Sequence, residues 1–214
     1  VADFTRKSFV FVHKGCHSVL GYPAKYLTEG GIDSLLGNLH PEDFEVVNNE
    51  IYKKNFGLLQ TLKPEDVYNY VFCHSYRFKN KSGDYTTVLQ KLSYLLSPDN
   101  KPIGAVGCIS DISMCSNGNQ MVHLIEHINQ NEADKSKEVI YKNYFFHDLE
   151  NTVISKRETE ILKWLSEGLI SKEIADKLDI SVNTVNNHRK NMLQKTNSKN
   201  VAELLLYAVS QHII

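Results

Sequence analysis

The chain has 214 residues and a mass of 24.4 kDa; 42% of it is hydrophobic and 23% charged, the mixture of an ordered globular protein with one or two domains. Its longest apolar stretches fall far short of the ~18 residues that a membrane span requires. The net charge of −1 hides an asymmetry: residues 1–150 carry 15 Lys and Arg against 18 Asp and Glu, and residues 151–214 carry 9 against 7, a balance that permits nucleic acid without demanding it.

In chain order, the apolar run Phe9–Val12 predicts a strand. Tyr70, Phe72, His74, Tyr76 and Phe78 alternate with smaller or polar residues at the strand period, and Asn80-Lys-Ser-Gly-Asp84 is a hairpin turn signal. A second strand-like run covers Tyr85–Leu96. After the turn Ser97–Pro102, a third covers Ile103–Ile109. Three consecutive antiparallel strands behind a helical middle predict an α+β domain over residues 1–113, large enough to bury its own core. The four cysteines, Cys16, Cys73, Cys108 and Cys115, are scattered and form no CxxC pair, which fits a reducing cytoplasm. His13, Cys16 and His17 make an H-x-x-C-H cluster, but no fourth ligand is placed nearby and no metal site is expected. The chain opens at Val1 with no basic segment and apolar run after it, so no secretory signal is visible in it, and whether residues precede Val1 stays open.

Four segments of this domain, in order, are Phe11-Val12 leading to Leu20-Gly21-Tyr22, then Leu39-His40-Pro41-Glu42-Asp43, then Tyr76-Arg77-Phe78 with Gly83 and Tyr85, and finally Asp111-Ile112-Ser113. Their order and spacing resemble the PAS fold. Ser113 in place of Thr and Ser82-Gly83-Asp84 in place of Asp-Gly depart from the family's pattern. The resemblance implies a sensing and dimerising module, an antiparallel sheet with flanking helices and a small cavity between them. Phe72, Tyr76 and Leu92 are expected to line that cavity, which holds a small organic molecule or nothing. A flavin–cysteinyl adduct would need a cysteine where the chain reads Leu36-Gly-Asn-Leu-His40, so flavin photochemistry is not expected. Haem would need an axial ligand, yet His40 belongs to the family's turn and His74 to a strand. The cofactor, if any, is unidentified. A phosphorylated receiver domain does not fit, because this half is not βα-repetitive. An acyl-homoserine-lactone sensor does not fit either, because the only tryptophan is Trp164.

Residues 114–150 read as a linker. Within it Met121, Leu124, Ile125 and Ile128 recur at i, i+3, i+4 and i+7, which predicts a short amphipathic helix that pairs with a second copy or packs back on its own domain. Val139, Ile140, Tyr144 and Phe145 are candidates to dock one domain on the other.

Residues 151–214 read as helical throughout. Ser155-Lys-Arg-Glu158 has capping-box spacing, Ile161, Leu162 and Leu165 follow at helical spacing, and Glu167-Gly168 supplies a stop. Further helices are predicted from Ser171 through Leu178, from the cap Ser181 to about Lys195, and from near Asn200 to His212. Ile174, Ala175, Leu178, Ile180 and Val185 carry the apolar pattern of a helix-turn-helix. The helix after the turn exposes Asn183, Asn186, Asn187 and Lys190 opposite Val185 and Met192. Asparagine makes bidentate contacts to adenine in the major groove, and lysine serves a guanine edge or a phosphate. The plain alternative is a solvated face on a small bundle, against which stands the poor helix propensity of paired asparagines.

Residues 154–208, from Ile-Ser-Lys-Arg-Glu-Thr-Glu-Ile-Leu through Ser-Val-Asn-Thr-Val-Asn-Asn-His-Arg, resemble the LuxR (GerE-type) DNA-binding domain, including its Glu158, Leu162, Gly168 and Thr184-Val185-x-x-His188 spacing. The resemblance implies that the third helix enters the major groove with Asn186, Asn187 and Lys190 toward the bases. It also implies that Lys172, Thr184 and His188 lie near phosphate or support that helix. In the last helix, Val201, Leu204, Leu205, Ala208 and Val209 form an apolar stripe; part of it packs on the bundle, and the rest is open to a dimer contact, with Val201, Leu204, Leu205 and Ala208 as candidates. A two-fold dimer sets two recognition helices ~34 Å apart and implies a near-palindromic site in double-stranded DNA.

The function expected is a bacterial-type, cytoplasmic, sequence-specific transcriptional regulator, a homodimer whose PAS domain senses a signal or mediates dimerisation. The alternative is a PAS-based protein-interaction module with only salt-driven, non-specific DNA binding. An enzyme is not expected, since no Gly-rich phosphate loop, H-E-x-x-H or G-x-S-x-G occurs.

Overall fold

The computed structural model describes residues 1–116, 120–129, 136–147, 153–211 and 213–214. The chain divides into two compact units, Val1–Tyr144 and Phe145–Ile214.

The first unit is built on a seven-stranded sheet: β1 (Ala2–Asp3), β2 (Ser8–Phe9), β3 (Tyr70–Lys79), β4 (Tyr85–Leu96), β5 (Pro102–Asp111), β6 (Gln120–Ile128) and β7 (Lys137–Phe146), in the order β2-β1-β5-β4-β3-β6-β7. The hairpins β3–β4 and β4–β5 are antiparallel and pair Phe72 with Leu92 and Leu92 with Gly107. The first hairpin turns where expected. Asn80 Oδ1 accepts from the backbone N–H of Ser82 (2.9 Å) and Asp84 (3.1 Å), and Gly83 supplies the left-handed φ of +96°. Helices α1 (Cys16–Leu20), α2 (Ala24–Leu36) and α3 (Pro41–Val46), a π-helical turn (Val47–Ile51) and α4 (Tyr52–Leu59) connect β2 to β3. Helix α2 breaks at Gly31, where φ is +63° and a Cβ would stand 2.5 Å from the Lys7 carbonyl oxygen.

The His40-Pro41-Glu42-Asp43 and Tyr76-Arg77 segments meet physically. The fully buried Asp43 carboxylate accepts from the Arg77 backbone N–H (2.6 Å) and from its guanidinium Nη2 (2.6 Å), while Glu42 accepts from Nη2 at 2.8 Å. A bidentate, charge-assisted clamp therefore ties α3 to the last residues of β3. The sheet's inner face carries Phe72, Leu92, Tyr94, Ala105 and Ile125, packed on Leu59 and Val67. Within this apolar layer sits a polar chain: Asn55 Nδ2 donates to Tyr94 Oη (3.2 Å), and Asn55 Oδ1 accepts from His123 Nε2 at 2.8 Å.

Two sequence expectations change here. Strand β2 ends at Phe9 rather than Val12, because its partner β1 is only two residues long; Val10 and Phe11 turn their N–H groups to the Val1 carbonyl, and Val10 turns its side chain to solvent. The larger correction concerns Met121, Leu124, Ile125 and Ile128, which lie in strand β6 and not in a helix. β6 pairs antiparallel with β3, Ile125 opposite Phe72 and His123 opposite His74, so Met121, His123 and Ile125 are buried at the strand period while Val122 and Leu124 are half-exposed. The free edge of β3 needs a backbone partner, and that requirement outweighs the weak helical spacing. Gln120–Ile128 and Lys137–Phe146 of the expected linker thus belong to the sheet; 117–119, 130–135 and 148–150 lie outside the described residues.

The second unit is a bundle of α5 (Lys156–Ser166), α6 (Ser171–Leu178), α7 (Val182–Lys195) and α8 (Val201–Ser210). The capping box at α5 is formed: Ser155 N–H donates to Glu158 Oε2 (2.8 Å), and Ser155 Oγ accepts from Glu158 N–H at 3.4 Å. Gly168, with φ +87°, ends that helix. Ile161, Leu162, Trp164, Ile174, Ala175, Val185, Met192, Leu204 and Ala208 form the core. Helix α8 ends at Ser210, short of the expected His212, which lies outside the described residues.

Candidate nucleic-acid interface

The geometry of α6 and α7 follows from a few local choices. Ile174 and Ala175 on α6 and Val185 on α7 are buried against each other's bundle, and the small Ala175 allows close approach. Between the helices Asp179 takes a left-handed conformation (φ 51°), and Ile180 N–H donates to the Ala175 carbonyl at 3.1 Å, which closes α6 and redirects the chain. Ser181 caps α7 by accepting from Thr184 N–H (3.0 Å), and the two hydroxyls lie 2.8 Å apart.

Two cations of α7 are held inside the unit. Arg189 Nη1 donates to Ser171 Oγ at 2.6 Å, tying α7 to the first turn of α6. Lys195 Nζ pairs with the buried Glu158 at 2.8 Å, tying α7 to α5. Burial alone would raise the Glu158 carboxyl, but Lys195 and the Ser155 cap outweigh it and hold the acid below its ordinary range.

The structure places every sequence-predicted DNA residue. Asn183, Asn186, Asn187 and Lys190 are exposed on the side of α7 away from the buried Val185 and Met192. Thr184 and His188 are half-buried, the former engaged in the cap, and Lys172 is exposed in the first turn of α6. Asn191 and Gln194 are also exposed and extend the same face. Sequence reasoning passed over them, although they stand four and seven residues beyond Asn187, at helical spacing.

The expected dimer residues divide. Leu204 and Ala208 are fully buried in the bundle and are not available at the surface, while Val201 and Leu205 are half-buried. The large apolar side chains that α8 exposes are Leu206 (71%) and Val209 (57%), one turn apart on the opposite side.

The first unit holds a cavity of about 540 Å³ between α1, α2, β4 and β5. Apolar walls come from Phe11, Val19, Leu20, Leu27, Leu92 and Ile109; Gln90, His13 and Cys16 bring polar atoms, and no Lys, Arg, Asp or Glu among the described residues lines it. Of the three residues expected there, only Leu92 contributes. Phe72 is packed into the core beside it, and Tyr76 turns its hydroxyl to Gln90 Oε1 (2.8 Å). Among the described residues, His40, Glu42 and Asp43 form the one cluster with metal-ligand proximity, but the Arg77 guanidinium is bonded to both carboxylates. No helix among the described residues is long and apolar enough to cross a membrane.

Comparison with known proteins agrees with this division. Residues 152–208 match the model of the bacterial regulatory proteins of the luxR family, and residues 9–109 match the PAS fold. The regulatory protein SdiA of Escherichia coli K12 is 52% identical over 60 residues, 28% of this chain and 25% of SdiA. The oxygen regulatory protein NreC of Staphylococcus carnosus is 44% identical over 62 residues, 29% of each chain. The chain thus spans less than a third of the length of these curated relatives. Among solved structures, a Vibrio cholerae VqmA–ligand–DNA complex aligns over 99% of this chain and 80% of its own, at 13% identity and a TM-score of 0.39. The chain carries a LuxR-type helix-turn-helix at its C-terminal end and a PAS-fold domain before it.

Proposed function

We propose that this chain is a sequence-specific DNA-binding transcriptional regulator, in which α7 enters the major groove and the PAS-fold unit senses a signal or pairs two copies. The observation that carries the reading is the face of α7: exposed amides and Lys190, with no Asp or Glu on the helix, held out by the α6–α7 turn. Amides and a lysine present the donors and acceptors that base edges match in the major groove. In this reading Lys172 contacts phosphate, Thr184 and His188 support the recognition helix, and the chain acts in the cytoplasm and catalyses no reaction.

The partner is double-stranded DNA bearing a near-palindromic site, bound by a homodimer. Leu206 and Val209, flanked by Val201 and Leu205, are the large apolar residues of α8 with surface to offer a second copy. The cavity of the first unit takes a small, uncharged, mostly apolar ligand, because among the described residues its lining offers apolar walls, the Gln90 amide and the His13 imidazole, and no Lys, Arg, Asp or Glu. Such a ligand regulates by binding more tightly to one arrangement of the paired DNA-binding heads than to the other.

The test is selection of DNA from a random pool by the purified full chain, repeated with an Asn186→Ala/Asn187→Ala/Lys190→Ala variant at matched salt. The wild type is expected to enrich a near-palindrome that the variant does not. Binding that is weak, salt-driven and indifferent to sequence would reject the reading in favour of an interaction module.

A further inference from the structure

The exposed face of α7 also bears on which bases it meets, an inference that rests on the function proposed above. Of the three permanent cations on α7, Arg189 and Lys195 are bound to Ser171 and Glu158. Lys190 is exposed, and no ion pair or hydrogen bond engages it among the described residues. Around it stand five exposed amides: Asn183, Asn186, Asn187, Asn191 and Gln194. At the helical period, Asn183, Asn187, Lys190 and Gln194 fall within about 60° of one another around the axis, with Asn186 and Asn191 on either flank.

An amide carries a donor and an acceptor side by side. The major-groove edge of adenine offers the complement, an acceptor at N7 and a donor at N6. Guanine offers two acceptors, which suit Arg or Lys instead. A recognition helix contacts base edges mainly through its N-terminal residues. In the first two turns of α7 those are Asn183, Asn186 and Asn187, preceded by Val182, an apolar side chain 39% exposed and suited to a thymine methyl. Asn186 and Asn187 straddle the centre of the stripe and so reach neighbouring base pairs.

We infer that the DNA half-site is read as adjacent A·T pairs, with Asn186 and Asn187 each bidentate to an adenine and Lys190 the one α7 cation left for a guanine or phosphate. The contacts are specific in atoms: Nδ2 donates to N7, and Oδ1 accepts from the N6 amino group.

The experiment uses the full chain and the site it selects, synthesised a second time with 7-deaza-adenine at the half-site adenines. That base keeps its pairing and loses only the N7 acceptor. Wild-type protein is expected to bind the substituted site about tenfold or more weakly, a loss of the size that one bidentate contact carries. The Asn186→Ala/Asn187→Ala variant, with an unchanged circular-dichroism melt, should bind the natural site weakly and lose nothing further on the substituted one. A third protein, Asn187→Arg, should move the preference at one position from adenine to guanine. Selected half-sites built of G·C pairs, equal losses in wild type and double-alanine variant, or no loss in either would overturn the inference while leaving DNA reading intact. Failure of the wild type to select any site would overturn the proposed function, and this inference with it.

Discussion

Two histidines face each other across β3 and β6 in the core of the first unit, and neither has a partner for its Nδ1 atom among the described residues. Burial, with a smaller contribution from His123, pushes His74 down to about 3; burial, with Lys54 beside it, pushes His123 down to about 4. Asn55 Oδ1 can only accept, so it holds His123 as the neutral tautomer with the proton on Nε2. Both histidines are neutral when folded and titrate near their ordinary value, about 6.5, when unfolded. The unfolded chain therefore binds more protons across the window from 6.5 down to the folded values, and stability must fall as the pH drops through it. Above 6.5 the contribution is fully present; below it each histidine removes up to about 1.4 kcal/mol per pH unit. Urea titrations at pH 7, 6 and 5 should show that loss, and a His74→Phe variant should show a shallower slope over the same interval. An unchanged slope would mean that His74 is already protonated in the fold.

At the level of elements, hairpin β3–β4–β5 was legible in the sequence because its signals are local: alternation within Tyr70–Phe78, the Asn80–Asp84 turn and the Ser97–Pro102 turn. Strand β6 was not legible, because its partner lies about fifty residues away and nothing within Met121–Ile128 announces the free edge of β3. The two readings of that segment differ in a measurable way. A helix would bury Leu124 and Ile125 on one face; the strand buries Ile125 against Phe72 and leaves Leu124 half-exposed on the other side. Ile125→Ala should therefore cost about 2–5 kcal/mol of unfolding free energy, and Leu124→Ala clearly less. Equal costs would contradict the strand register. The exposed face of α7 divides the same way: its amide stripe is periodic and local, hence readable. The engagement of Arg189 with Ser171 and of Lys195 with Glu158 depends on bundle packing across 18 and 37 residues. The cavity escaped for a related reason. Alternation tells which face of β3 carries Phe72 and Tyr76, but not whether neighbouring side chains fill the space in front of them.

At the scale of the whole molecule, the two units bury separate cores, Phe72, Leu92, Tyr94 and Ile125 in one and Ile161, Leu162, Val185 and Met192 in the other. A piece holding residues 145–214 should therefore fold by itself, with its capping box and its Glu158–Lys195 pair intact. It should keep the base preference, because every residue of the α7 face belongs to it. What it should lose is avidity: if the N-terminal unit holds two heads together, binding to a two-half site gains about 10²–10⁴-fold over either head alone. Fluorescence anisotropy with one-half and two-half sites separates the terms. The full chain should prefer the two-half site by that margin, and the piece should bind both almost alike, with the same ranking of base substitutions. A piece that discriminates between them as strongly as the full chain would place the pairing of heads on Leu206 and Val209 of α8, and leave the PAS-fold unit to act only by altering that contact.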